Sequence, residues 1–243
     1  MAATGQIAHN LSALYDLYFT VVPAYTVDLL DQAFALRYVV YCVENPYEDP
    51  ARSLSQREMD MYDTHSVHAV LIYKASGKAV GCVRLVLPAP AVGLEALPIW
   101  DLLNDEPRLS LKRCPPRGTA EISRYAVSKM FRRREGETQY ADTAFFDVAD
   151  HSRRLIPHIT LGLMRGVGRL AADYGMTHVC AVMAPALLRL LERFGISFEP
   201  LGAPVEHHGL RQPCVAEFSN LLSGLGARNP DYYQVVNAAY RSA

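Results

Sequence analysis

No cysteine pair with metal-binding or redox spacing occurs in this 243-residue sequence. Its five cysteines, Cys42, Cys82, Cys114, Cys180 and Cys214, are odd in number, far apart and mostly set in apolar runs. They read as free thiols of a reducing compartment, so a cytoplasmic protein is expected. Neither sign of charge dominates: 24 Lys and Arg face 25 Asp and Glu, a formal net charge of -1. That balance argues against generic nucleic-acid binding. There is no basic N-terminal region, the apolar stretch around Val21 stops at Pro23, and no apolar run is long enough to span a bilayer. Neither a signal peptide nor a transmembrane segment is expected. Also missing are a Walker loop, a G-x-G-x-x-G fingerprint and a G-x-S-x-G elbow. His65, His68, His207 and His208 lack the spacing of a metal site. Nucleotide hydrolysis, Rossmann redox chemistry and serine-type covalent catalysis thus lose their usual signatures.

Half of the residues are hydrophobic and 9% are aromatic, too many for disorder, and the 15 Gly and 15 Pro follow no period. No repeat or linker divides the chain, so residues 1–243 are read as one domain with a core at about 27–218 and helical extensions at both ends. Apolar spacing predicts a helix over 10–22 and a second from Thr26 to about Glu44. An irregular acidic segment follows, then a strand, turn and strand over 68–87. A short helix at 98–103 leads to a strand at 119–127, then a helix over 153–174, a strand at 177–183 and a helix at 185–194. Short strands near 196–199 and 214–218 precede terminal helical pieces. This order predicts a mixed α/β fold in which helices flank a sheet.

Several residues stand out chemically. Arg37, Tyr41 and Glu44 line one face of the second helix, as a ligand-facing row or a solvated flank. Asp60 and Asp63, three apart, suit a cation, an arginine partner or a solvated loop. Arg84 interrupts an apolar strand, where a buried charge must be paired or face a ligand. Glu121 and Arg124 repeat that pattern, as general base and anion anchor or as a buried ion pair, with Ser123 between them. Strict alternation puts Glu121 and Arg124 on opposite faces, so one shared site requires a bulge or splay in the strand. Charge is also unevenly spread: residues 44–63 hold six acids and two bases, while residues 112–134 hold eight bases and one acid. The basic stretch suits an acidic partner or a solvated loop.

The order Arg37-x3-Tyr41, Asp60-x2-Asp63, Gly81-x2-Arg84 and Glu121-x-Ser123-Arg124 resembles the autoinducer synthase superfamily. More closely, Arg37-Tyr38-Val39-Val40-Tyr41-Cys42-Val43-Glu44, the Asp-x-x-Asp-x-x-Ser-x-His run, Arg84-Leu85-Val86-Leu87-Pro88 and Phe194-Gly195-Ile196 resemble N-acyl amino acid synthases and the PEP-CTERM/exosortase-associated acyltransferases. The likeness covers roughly residues 27–215. It implies a GNAT-like fold with a mainly antiparallel sheet, and transfer of a fatty acyl group from acyl carrier protein to an amino acid amine. On this resemblance Glu121 is the candidate base. Arg37, Tyr41, Glu44, Asp60, Asp63, Arg84, Ser123 and Arg124 line the acceptor pocket, with Arg84 or Arg124 expected to hold the acceptor carboxylate. The resemblance also implies the strand bulge. GNAT enzymes cradle the coenzyme A pyrophosphate in a glycine-rich loop at a helix N-terminus. Here the strand runs instead into a basic segment, so Lys129, Arg132, Arg133 and Arg134 are expected to dock an acidic carrier protein bearing acyl-phosphopantetheine, with acyl-CoA an open alternative. The rival expectations are homoserine lactone synthesis from S-adenosylmethionine and a non-catalytic carrier-binding module.

Overall fold

The computed structural model describes residues 11–129 and 159–238. Its centre is an eight-stranded sheet: β1 (Phe19–Pro23), β2 (Ser66–Tyr73), β3 (Lys78–Val86), β4 (Thr119–Val127), β5 (His178–Met183), β6 (Glu199–Pro200), β7 (Val205–Glu206) and β8 (Leu210–Glu217). The spatial order is β1-β2-β3-β4-β5-β8-β6, with β7 also on β8. Among the described residues only β4 and β5 run parallel; the other pairs are antiparallel. The expected mixed, mainly antiparallel sheet is therefore present.

Seven α-helices are present among the described residues: α1 (Leu11–Tyr18), α2 (Val27–Tyr38), α3 (Asp105–Leu111), α4 (Ile159–Asp173), α5 (Pro185–Phe194), α6 (Phe218–Arg228) and α7 (Pro230–Asn237). The largest apolar cluster joins α1, α4, α5, α6 and α7 to one face of the sheet, through residues such as Tyr15, Val83, Leu85, Ile122, Leu163, Leu191 and Val235. The other face carries two smaller clusters. One packs α2, through Ala33 and Leu36, and Val40 just beyond its end, on Val70, Cys82 and Ala126. The other packs the 94–111 segment, through Leu97, Ile99 and Leu111, on Val86, Cys180 and Val215. Between them lies a strip of sheet surface that holds the polar residues of the site.

Several elements differ from the sequence pattern. The first predicted helix ends at Tyr18, and residues 19–23 pair with β2 in register Phe19↔Tyr73 to Pro23↔Ala69. The β-branched Thr20-Val21-Val22 run favours a strand, and Pro23 suits an edge strand, which needs fewer donors. The second helix gives way at Val39 to a π-helical turn, Val39–Glu44, in which the Asn45 N–H donates to Val40 O at 3.2 Å. The Asn45 side-chain amide donates to the same carbonyl at 2.7 Å, holding this wider turn closed. Near the C-terminal end, the expected strand near 196–199 forms at Glu199–Pro200, and the 214–218 strand starts earlier, at Leu210.

Helix α4 approaches the sheet through glycines. A Cβ added at Gly162 would lie 1.8 Å from the Tyr15 hydroxyl. That hydroxyl is itself buried and has no hydrogen-bond partner among the described residues. Gly162→Ala is therefore expected to cost about 1–3 kcal/mol from overpacking, despite alanine's higher helix propensity. Tyr15→Phe alone is expected to be neutral or stabilising, because it deletes an unpaired buried polar group. Thermal denaturation of the two variants checks both statements.

Candidate active site

The turn before β2 positions two carboxylates. Asp60 caps the short 3-10 turn Met61–His65, accepting from Tyr62 N at 2.9 Å, while Asp63 accepts the Asp60 N–H at 2.8 Å. This reciprocal cap is what a three-residue spacing of acids makes possible. Both carboxylates then meet arginines delivered by α2 and β3.

Arg37, fully buried, donates to Glu58 at 2.6 Å and makes a two-pronged pair with Asp63 at 2.7 and 3.0 Å. Arg84, on β3, bonds Asp60 at 2.5 Å, Asp63 at 2.9 Å and Ser123 Oγ at 2.9 Å. Arg124, on β4, reaches Glu58 and Asp60 at 3.0 Å and Glu48 at 3.1 Å. Burial alone would raise the carboxylate pKa values, but arginine hydrogen bonds and charges outweigh it. Asp60 and Glu58 are thereby held below their usual range, and Asp63 well below it. His68, opposite Arg84 in the sheet and 3.5 Å from Asp63, is kept neutral chiefly by burial, with a pKa lowered to about 4.

The bulge that one shared site requires is present. Arg84 pairs with Ser123 but Cys82 with Ala126, so two residues of β4, Arg124 and Tyr125, stand opposite Val83. Arg124 has φ +46°, in the left-handed region. The extra residue restores Arg124 to the face that carries Glu121 and Ser123, and sends Tyr125 to the other face, where its hydroxyl donates to Thr160 O at 2.9 Å. Arg124 lies over the Tyr41 ring at 5.3 Å. Glu44 accepts the Lys129 N–H at 3.0 Å and the Ser128 hydroxyl at 3.4 Å, so the π-helical turn grips the end of β4.

Glu121 stands apart from the ion pairs. It is buried, accepts the Ile99 N–H at 2.6 Å, and has its pKa raised by burial to about 8 against the opposing pull of Ile99, Arg84 and Arg124. Its register partner is Cys180, and pairing of β4 with β5 ends one residue later at Ile122↔Ala181, although both strands continue. The strands part beside a carboxyl that titrates near neutrality.

All of Arg37, Tyr41, Asp60, Asp63, Arg84, Ser123 and Arg124 thus come together, with Glu121 on the same strand face. Glu44 lies at the edge of the group and shapes it through the backbone at Lys129. Arg84 is paired within the protein, its Nε bonding Ser123 and one terminal nitrogen bonding Asp60 and Asp63. Among the described residues the basic stretch is not one patch: Arg124 is committed to carboxylates, and β4 separates Lys112, Arg113 and Arg117 from Lys129. Arg132, Arg133 and Arg134 lie outside the described residues. The residues that sequence reasoning passed over are Glu58, Glu48 and His68. Their only signal was membership of the acidic run or the apolar strand, and burial beside arginines is what distinguishes them.

An acetyltransferase (GNAT) domain model matches residues 36–141. No curated protein matches the sequence. Among solved structures, the AHL synthase LasI superposes with a TM-score of 0.57 at 16% identity, over 86% of this chain and 96% of that one. The CoA-dependent acyl-homoserine lactone synthase BjaI, with SAM and isopentyl-CoA, gives 0.56 at 22% identity, over 91% and 99%. FeeM, an N-acyl amino acid synthase from uncultured soil microbes, gives 0.53 at 11% identity, over 86% and 96%. The chain has the GNAT-like fold shared by these acyl-homoserine lactone and N-acyl amino acid synthases.

Proposed function

We propose that this protein is an N-acyltransferase that moves a fatty acyl group from a phosphopantetheine thioester to the amine of an amino acid. The observation that carries this reading is the β4 bulge at Arg124, which sets Glu121, Ser123 and Arg124 on one strand face where β4 leaves β5. In the proposed reaction the acceptor ammonium gives a proton to Glu121, directly or through water. The freed amine attacks the thioester carbonyl, and backbone N–H groups of the bulged strand stabilise the oxyanion. The C–N bond forms, the C–S bond breaks, and the nitrogen's second proton passes to the leaving thiolate, which departs as the thiol. Acyl carrier protein is the proposed donor, with CoA the alternative that BjaI illustrates. The narrower likeness to exosortase-associated acyltransferases rests on the sequence runs from Arg37 and Arg84.

A second reading, lactone formation from S-adenosylmethionine, is favoured by one observation. Three guanidiniums in the network face four carboxylates, Glu48, Glu58, Asp60 and Asp63, a surplus that suits a cationic acceptor. Mass spectrometry separates the two. Purified protein with a long-chain acyl thioester, on carrier protein or CoA, and the twenty amino acids is expected to yield a stable N-acyl amino acid. Product only with S-adenosylmethionine, as a lactone, would replace the first reading by the second. No amide or lactone with any acceptor would support a non-catalytic carrier-binding module.

A further inference from the structure

The buried network leaves an acceptor carboxylate without an obvious partner. Arg37 and Arg84 have side chains 0% and 1% exposed, and every guanidinium in the network already bonds one or more carboxylates. Adding another anion there would enlarge a negative surplus. The outer side of Arg124 is covered by Glu48, and beside Glu48 stands the tip of the β7–β8 hairpin. His208 Nε2 lies 3.7 Å from Glu48, and the His208 ring packs on Tyr47 with centroids 5.3 Å apart. Two segments distant in sequence, 47–48 and 207–211, therefore meet at the solvent side of Arg124.

Arg211 belongs to this rim. Its guanidinium lies 5.9 Å from the centre of the same Tyr47 ring, and one nitrogen donates to Leu210 O at 3.3 Å. Among the described residues no carboxylate lies within ion-pairing distance of it, and its Nε and second terminal nitrogen make no hydrogen bond. Arg211 is also electrically close to the network. The pKa of His207 is lowered by burial first and then by the charges of His208, Arg124 and Arg211. The rim thus offers an uncompensated planar donor fork, of the kind that binds carboxylates two-pronged, next to a site that is over-supplied with acids.

We propose that Arg211 is the residue that anchors the acceptor's carboxylate, while the ammonium faces inward to the carboxylates Glu48 and Asp60. This rests on the acyltransferase reading and sharpens it: the acceptor is a free α-amino acid, held by its acid group at the rim and acylated at its amine deeper in. It replaces the sequence-based expectation that Arg84 or Arg124 neutralises the carboxylate.

The test compares wild type, Arg211→Gln and Arg211→Lys in two measurements, acylation kinetics and calorimetric binding, with the acylated amino acid and its methyl ester. Arg211 is partly exposed and makes no ion pair among the described residues, so the fold is expected to be unchanged. Arg211→Gln is expected to raise KM for the amino acid about tenfold to a hundredfold with kcat within about twofold, and to leave the ester unaffected. Arg211→Lys should recover part of the loss. Equal effects on acid and ester, or no effect on either, would overturn the anchor while leaving the acyltransferase reading intact. If wild type forms no amide, saturable binding of an amino acid that is lost in Arg211→Gln supports the anchor and removes that reading. Absence of both amide and binding overturns the two together.

Discussion

Glu121→Gln is expected to lower the rate of amide formation by about 10²–10⁴-fold, the usual worth of a positioned general base. Glutamine is isosteric and can still accept the Ile99 N–H, so the 2.6 Å bond that orients the side chain survives the change. The pH dependence gives an independent signature. Burial raises the Glu121 pKa to about 8, so the basic form is scarce at neutral pH and fills as pH rises. The wild-type profile of kcat/KM should therefore climb through an apparent pKa near 8, and the variant should lose that limb. Stability should move oppositely. Because the folded state holds the Glu121 proton more tightly than the unfolded chain, whose pKa is near 4.5, folding free energy is lost as pH rises from about 4.5 to 8. Glu121→Gln removes this loss, so the variant should melt at a higher temperature than wild type at pH 8. A variant with wild-type turnover at pH 8 would end the base assignment.

Arg37→Met is expected to be the most destabilising change in the site, by about 3–5 kcal/mol, a drop in Tm of roughly 6–20 °C. The substitution leaves Glu58 and Asp63 buried without the guanidinium that bonds both. Adding Glu58→Gln and Asp63→Asn to the same variant should recover part of the loss, since it deletes the uncompensated charges. Full additivity of the three changes would show that no such coupling exists. The same network predicts sensitivity to acid. The folded pKa values of Glu58, Asp60 and Asp63 are depressed, so their contribution is complete above the ordinary carboxylate pKa of about 4 and is lost as pH falls below it. His68 adds to this sensitivity: its folded pKa is lowered to about 4, so stability is also lost as pH falls from about 6.5 toward 4.

The charge pattern shows how much of this was legible in the chain. Net charge near zero concealed an acidic segment at 44–63 and a basic one at 112–134. The fold resolves the first of these by placing Glu48, Glu58, Asp60 and Asp63 on Arg37, Arg84 and Arg124, which are up to 76 residues away along the chain. Residue types and spacing identified most of these partners, because an arginine in an apolar strand and two acids a turn apart demand company. Glu58 escaped notice because it looks like any other acid of its loop until Arg37 closes over it. The helix carrying Arg37 was legible from apolar spacing. Its widening at Val39–Glu44 was not, because a single extra residue per turn leaves no mark on an apolar pattern.

Sequence alone pointed to the α/β class, the hairpin of β2 and β3, and Arg37, Arg84, Arg124, Asp60, Asp63 and Glu121 of the candidate site, because hydrophobic periodicity and the cost of burying an unpaired charge act on local residue types. It also required a bulge or splay if Glu121 and Arg124 were to share a site. The tertiary structure decided that the bulge exists, at Arg124 with φ +46°, that β4 and β5 part after Ile122, and that Arg211 reaches the rim. Those features depend on pairings between strands far apart in the chain, and no local preference encodes which residue a distant strand leaves unpaired.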